Sequence, residues 1–143
     1  MKLLNMDIIG AFETAFNRAK EKNWDYIVVL VDIHDTIFKG TYSKEENYEY
    51  LGKAKEALQL MSARKDIKII LWSSTFNKNK YILRLYKDNI IVDAFNRNID
   101  GIENTEIACF DEKPYFNIGI DNAFGFEPEQ DWEKIYNYLS QLQ

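Results

Sequence analysis

Three hydrophobic runs in the sequence stop abruptly on a polar side chain. Tyr26-Ile27-Val28-Val29-Leu30-Val31 stops on Asp32, Ile67-Lys68-Ile69-Ile70-Leu71-Trp72 on Ser73, and Phe116-Asn117-Ile118-Gly119-Ile120 on Asp121. Ahead of the third run lies Lys113, within Asp111-Glu112-Lys113-Pro114. Two carboxylates, a hydroxyl and an ammonium make a set suited to phosphoryl transfer: a carboxylate nucleophile, oxygen ligands for a divalent cation, and donors for phosphoryl oxygens. Each residue also has a plainer reading. A carboxylate after a buried strand can cap the next turn or helix. A serine or an Asp-Asn pair can shape a turn, and Lys113 can belong to a solvated charge cluster with its acidic neighbours. Ser74 competes with Ser73 for the hydroxyl role.

The chemistry requires those runs to lie side by side. Continuous β-branched-rich runs predict strands covered on both faces, the strongest over 26–32, with others over 67–72, 90–92 and 116–121. Apolar residues at steps of three and four predict helices over about 6–22 (Ile8, Phe12, Ala15, Phe16, Ala19) and 46–64 (Leu51, Ala54, Leu58, Met61). A third is predicted over 78–87 (Tyr81, Ile82, Leu85, Tyr86), and a terminal one through Trp132, Ile135, Tyr136 and Leu139. Segment 93–111 has no clean period. Strands alternating with helices imply right-handed βαβ units and an α/β three-layer sandwich, with a mainly parallel central sheet and helices on both faces. Ligands of such sheets bind outside the carboxyl ends of the strands, where Asp32, Ser73 and Asp121 fall.

Composition supports one packed domain over 1–143, with the helix at 1–22 preceding the core. The 143 residues are 46% hydrophobic and 15% aromatic with six Gly and two Pro, which excludes disordered and fibrous classes. A net charge of −5 argues against a broad grip on nucleic acid but leaves a local phosphate site open, so a phosphorylated small molecule remains permitted as a partner. The single Cys109 cannot form an internal disulfide and is expected to be a small core hydrophobe. No apolar run near the N-terminus is long enough for a signal peptide or membrane span, so a soluble, cytoplasmic protein is expected.

In order, these motifs resemble the haloacid dehalogenase-like (HAD) phosphohydrolase superfamily, whose fold is Rossmannoid. Its first motif, an apolar strand followed by Asp-x-Asp-x-Thr, is matched by Val28-Val29-Leu30-Val31-Asp32-Ile33-His34-Asp35-Thr36. The second, an apolar strand ending in Ser or Thr, is matched by Ile69-Ile70-Leu71-Trp72-Ser73. The third, a lysine often followed by proline, is matched by Lys113-Pro114, and the fourth, an apolar strand ending in acids, by Ile118-Gly119-Ile120-Asp121-Asn122.

The resemblance implies a magnesium-dependent phosphatase in which Asp32 attacks phosphorus to form an aspartyl-phosphate. Asp32, the backbone carbonyl of His34, Asp121 and Asn122 would hold the metal. Ser73 and Lys113 would orient and neutralise the phosphoryl oxygens, with Thr36 and Ser74 also on the substrate. Two positions depart from the family pattern. His34 stands where the family has its acid/base aspartate, and a histidine with an ordinary pKa of about 6.5 holds either proton state near neutrality. Asn122 stands where relatives often have a second metal-site acid; it keeps an oxygen and loses a charge, so weaker magnesium binding follows. Asp35 is expected to point elsewhere.

Both departures also motivate a different class, a HAD-like protein without turnover that binds a phosphate ligand or another protein. A phosphoacceptor receiver domain shares the strand-end Asp, the hydroxyl and Lys-Pro, but its acidic pair stands at the start, whereas Asp121 here follows Lys113. Neither 36–73 nor 74–113 has room for an inserted cap, so the resemblance is to capless members, which often take larger substrates or borrow a lid from a partner chain. The stretch 38–50 is the nearby candidate for a small flap. Its Tyr42, Tyr48 and Tyr50 read as packing rather than as a substrate wall.

Overall fold

In the computed structural model, which describes residues 7–41, 43 and 45–142, the strongest apolar run becomes β1 (Ile27–Asp32). β2 (Ile67–Trp72), β3 (Ala94–Phe95) and β4 (Ile118–Ile120) complete a parallel sheet of order β3-β2-β1-β4. The first five residues of β1 are buried, as a strand covered on both faces requires. Asp32 pairs with Trp72, and Val31 with Ile120. The residues that follow those partners, Ser73 and Asp121, therefore flank Asp32 at the carboxyl edge of the sheet.

The helices are α1 (Ile8–Lys22), α2 (Ala54–Ala63), α3 (Lys78–Lys87) and α4 (Pro128–Gln141). Their buried hydrophobic side chains, among them Phe12, Leu58, Met61, Leu85 and Ile135, join one cluster with Ile27, Val29, Val31, Ile69 and Leu71. The alternate strand residues Val28, Leu30, Ile70 and Ala94 face the other way and meet Ile99, Ile102, Tyr115 and Phe116. The chain is thus an α/β three-layer sandwich of the Rossmannoid type. Helices form one outer layer, and the irregular segment 96–117 forms the other, where helices were expected on both faces. The crossover geometry gives the reason: β1 to β2 and β2 to β3 step in one direction along the sheet, and right-handed connections put both helices on the same side.

Other boundaries shift for identifiable causes. The helix expected over 46–64 starts only at Ala54, because Tyr50 pairs with Phe38 and Gly52 adopts a left-handed φ of +53°. A Cβ at Gly52 would stand 2.5 Å from the Pro128 carbonyl oxygen, so the close approach of α4 also excludes a side chain there. The strand expected over 90–92 lies instead at Ala94–Phe95. Asp93 makes the first link to β2: its N–H donates to the Ile69 oxygen (2.9 Å) and its Oδ2 accepts from the Ile69 N–H (2.8 Å). Ile90 meanwhile turns into the helical core. Cys109 is exposed on the irregular layer, not buried. α1 begins after Asp7, whose Oδ1 accepts from the Gly10 N–H (2.9 Å); the start expected near residue 6 lies outside the described residues. Among the described residues no helix is long and apolar enough to cross a membrane.

Candidate functional site

The loop leaving β1 is a tight knot of backbone hydrogen bonds. The Ile33 carbonyl accepts from the N–H groups of Thr36, Ile37 and Phe38 at 3.3, 2.9 and 3.1 Å. Asp35 takes a left-handed conformation (φ 58°), and its Oδ1 accepts from the Gly40 N–H at 2.9 Å, so its carboxylate serves the loop, as expected. Thr36 is buried beneath Asp32 and does not line the cleft, although the sequence pattern placed it on the substrate. Its hydroxyl lies 3.2 Å from Asp32 Oδ2 and 3.3 Å from Asn122 Oδ1, and accepts from the Asn122 N–H at 3.1 Å. One hydroxyl proton serves only one of those oxygens at a time. The Thr36 carbonyl accepts from the buried indole N–H of Trp132 at 2.7 Å, which ties the loop to α4.

The loop leaving β2 is held by a side chain instead. Asn96, directly after β3 and left-handed (φ 53°), accepts from the Ser73 N–H at 2.8 Å and donates to the Ser73 carbonyl at 2.6 Å. Ser73 Oγ accepts from the Thr75 N–H (3.2 Å) and Thr75 Oγ1 from the Asn77 N–H (3.0 Å). These turns deliver the chain to the amino end of α3, which has no side-chain cap. Ser73 is nearly buried and Ser74 exposed.

Asp32, His34, Ser73 and Ser74 share the wall of a cleft of about 870 Å3 with Phe76, Tyr81 and the flap residues Gly40, Thr41, Ser43 and Glu45 to Asn47. His34 Nε2 is 3.0 Å from the Tyr81 hydroxyl, with the two rings edge-to-face (centroids 5.5 Å, 86°). Burial raises the Tyr81 phenol above its ordinary pKa, so the hydroxyl stays protonated. Asp32 is pushed up to about 6, first by burial and then by the Asp121 carboxylate beside it. Hydrogen bonds from the Ile33 N–H and Thr36, and the nearby His34, offset only part of this. Asp121 Oδ1 also accepts from the Ala123 N–H (2.8 Å), capping a 3-10 turn over Asn122–Phe124.

Repelling carboxylates from adjacent strand ends, with the Asn122 amide close by, are hard oxygen donors of the kind magnesium prefers, and they fit it in chemistry. Among the described residues no group of three or more His, Cys, Asp or Glu side chains converges as a metal cluster, so amide and backbone oxygens would have to complete such a site. The cleft lining carries Asp32, Glu45 and Glu46 and, among the described residues, no Lys or Arg. Lys113 is not in it; its ammonium stands over the Phe116 ring, 5.2 Å from the centroid.

Of the residues marked in the sequence, Asp32, His34, Ser73 and Ser74 line one cleft. Asp121 stands beside Asp32 at the next strand end and Asn122 is bonded to Thr36, both outside the lining, and Lys113 does not join them. Tyr48 and Tyr50 pack on Phe38 (5.8 and 4.6 Å between centroids), as expected, while Tyr42 lies outside the described residues. Asn96, Tyr81 and Trp132 were missed as site residues. A buried indole needs a partner for its N–H, and asparagine favours left-handed backbone, which are the signals that could have marked Trp132 and Asn96.

No family model and no curated protein sequence matches the chain. A solved structure of a conserved protein from Bacteroides thetaiotaomicron is similar in fold, with a TM-score of 0.62 at 23% identity, over 82% of this chain and 93% of that one.

Proposed function

We propose that the chain is a magnesium-dependent phosphohydrolase on the HAD plan, with Asp32 as nucleophile. The observation that carries this reading is the closeness of Asp32 and Asp121 at adjacent strand ends, with Asp32 in the wall of the cleft and Thr36 bracing it from below. Asp32, the His34 carbonyl, Asp121 and Asn122 would hold the cation. When bound, magnesium supplies positive charge that ionises Asp32 and offsets the phosphoryl group.

The remaining chemistry belongs to the chain. An Asp32 carboxylate oxygen attacks phosphorus, forming the acyl-phosphate bond as the ester P–O bond breaks, and the leaving oxygen takes a proton from His34. Water then attacks phosphorus, returns the carboxylate and gives its proton to His34. The Ser73 and Ser74 hydroxyls, with the amino end of α3 behind them, donate to the phosphoryl oxygens. Lys113 joins this set only by leaving Phe116. The substrate is a phosphate ester that reaches a cleft flanked by Gly40, Thr41, Ser43 and Glu45 to Asn47, with a partner chain as a further lid. A reducing, cytoplasmic setting goes with a single exposed, unpaired cysteine.

Phosphate release from a panel of esters in magnesium tests the proposal. Turnover is expected in the wild type and abolished in Asp32→Asn. Turnover surviving in Asp32→Asn would sink the covalent mechanism. A wild type inert throughout, with His34→Asp equally inert, would favour the second reading, a phosphate-ligand or protein-binding module. That alternative draws on the position of Lys113 over Phe116 and on the acidic lining.

A further inference from the structure

The irregular segment that covers the second face of the sheet also builds a second cavity, of about 490 Å3, at the opposite end of β1 from Asp32. Its walls are aromatic. Trp24 and Tyr26 come from the turn before β1, Phe110 and Tyr115 from the irregular layer. The Tyr115 ring stands perpendicular to both Trp24 (centroids 6.3 Å, 87°) and Phe110 (5.7 Å, 88°). The charged groups in the lining are the carboxylates Asp25 and Glu103, and neither has an ion-pair or hydrogen-bond partner among the described residues.

The rings are held in place before any ligand arrives. The Tyr115 hydroxyl accepts from Asn117 Nδ2 (3.1 Å) and its N–H donates to Asn98 Oδ1 (3.0 Å), while the Phe110 N–H donates to Asn104 Oδ1 (2.6 Å). Side-chain amides thus do for this layer what a helix would do by backbone ladder, and the walls need little ordering on binding. Two of the rings already carry an ammonium of the chain: Lys22 Nζ lies 5.9 Å from the Trp24 centroid and Lys68 Nζ 5.5 Å from that of Tyr26. Neither lysine lines the cavity.

We propose that this cavity binds a small organic cation, specifically a methylated ammonium compound of the choline type. Aromatic rings from two parts of the chain line the cavity, and the ammoniums already drawn to Trp24 and Tyr26 mark those rings as ones a cation reaches. Two exposed carboxylates without an ion-pair partner among the described residues, Asp25 and Glu103, add negative charge at the same cavity. A methylated ammonium is chosen over a primary one because its methyl groups pack on ring faces and it gives up less hydration on entry. The proposal is independent of turnover at Asp32.

The test is an NMR titration of the indole N–H resonances of Trp24, Trp72 and Trp132 with choline and with its neutral carbon isostere, 3,3-dimethylbutan-1-ol. The Trp24 resonance is expected to shift saturably with choline while Trp132, in the core, does not move. The alcohol is expected to bind about tenfold more weakly. Asp25→Asn/Glu103→Gln keeps the rings and is expected to weaken choline severalfold; Trp24→Ala should remove the choline-dependent shift of the Tyr115 backbone amide, and Asp32→Asn should leave the choline response of Trp24 as in the wild type. Equal binding of alcohol and choline, unchanged affinity in the double charge variant, or a Trp24 resonance unmoved by tens of millimolar choline would each overturn the assignment.

Discussion

On the helix-covered face of the sheet, Phe12, Leu58, Met61, Trp132 and Ile135 interlock with every second residue of the strands, whereas at the carboxyl rim a half-buried carboxylate faces another. Among the described residues the two buried polar ones, Thr36 and Ser73, both belong to the rim. Asp35 and Asn96, which shape the loops there, sit in left-handed backbone that costs a residue other than glycine on the order of 1 kcal/mol. The helical cluster has 26 buried residues against five on the opposite face, so the stability that tolerates such a rim comes from one side of the sheet. Truncation in that core and neutralisation at the rim should then move stability in opposite directions.

The largest expected effect is at the residue that joins the two regions. Trp132→Ala removes a buried indole from α4 and the donor to the Thr36 carbonyl, and should cost about 3–5 kcal/mol in urea unfolding. A loss under about 1 kcal/mol would break the contrast. Asp32→Asn should do the reverse. Because the Asp32 pKa is raised from 3.8 to about 6 in the fold, the folded protein binds that proton more tightly than the unfolded chain. Its contribution to stability is full below about pH 4 and disappears as pH rises through about 6. After discounting for solvent screening of a half-exposed group, the metal-free wild type should lose roughly 1–2 kcal/mol between pH 4 and 7. Asp32→Asn should flatten that profile and be the more stable protein at pH 7; a profile identical to wild type would show that the rim carries no repulsion.

Magnesium sharpens the same point. At ten times its dissociation constant it should stabilise the wild type at pH 7 by about 1.4 kcal/mol in thermal melts and have no effect on Asp121→Ala, with Asn122→Asp responding at lower concentration. Equal, magnesium-independent melting of all three would remove the cation from the proposed function. The smallest effect is expected at Asn96→Ala, about 1 kcal/mol, since it removes two hydrogen bonds to the Ser73 backbone in a part-exposed loop. Hydrogen exchange should show the Ser73 amide losing protection there while the β1 amides keep theirs.

The two regions also differ in how far they could be read in advance. β1, β2, α3 and α4 are legible because hydrophobic period and run length report burial directly. Leu51 continues the period of α2, yet the helix stops short of it, because Gly52 is shaped by the approach of Pro128 from 76 positions away. β3 was displaced by Asp93, whose pairing with Ile69 no local pattern reveals. Segment 93–111 has no clean period because asparagine amides, not a backbone ladder, hold it. At the site, strand-end polarity marks Asp32, Ser73 and Asp121. The burial of Thr36 and the clamp by Asn96 depend on neighbours remote in sequence, whereas the turn of Lys113 towards Phe116, three residues on, is a local contact that the Lys-Pro pattern does not reveal.

The sheet also has lopsided dimensions: its six-residue strands β1 and β2 lie inside, and its margins are β3 and β4, of two and three residues. An edge that offers so few open amide and carbonyl groups is a poor template for a strand from another molecule, and the carboxyl halves of the long strands are already paired on both sides. Crowding many copies together should therefore not seed cross-β aggregation from the native state. Self-association, where it occurs, has to go through side-chain surfaces such as the exposed Leu83 and Tyr86 of α3.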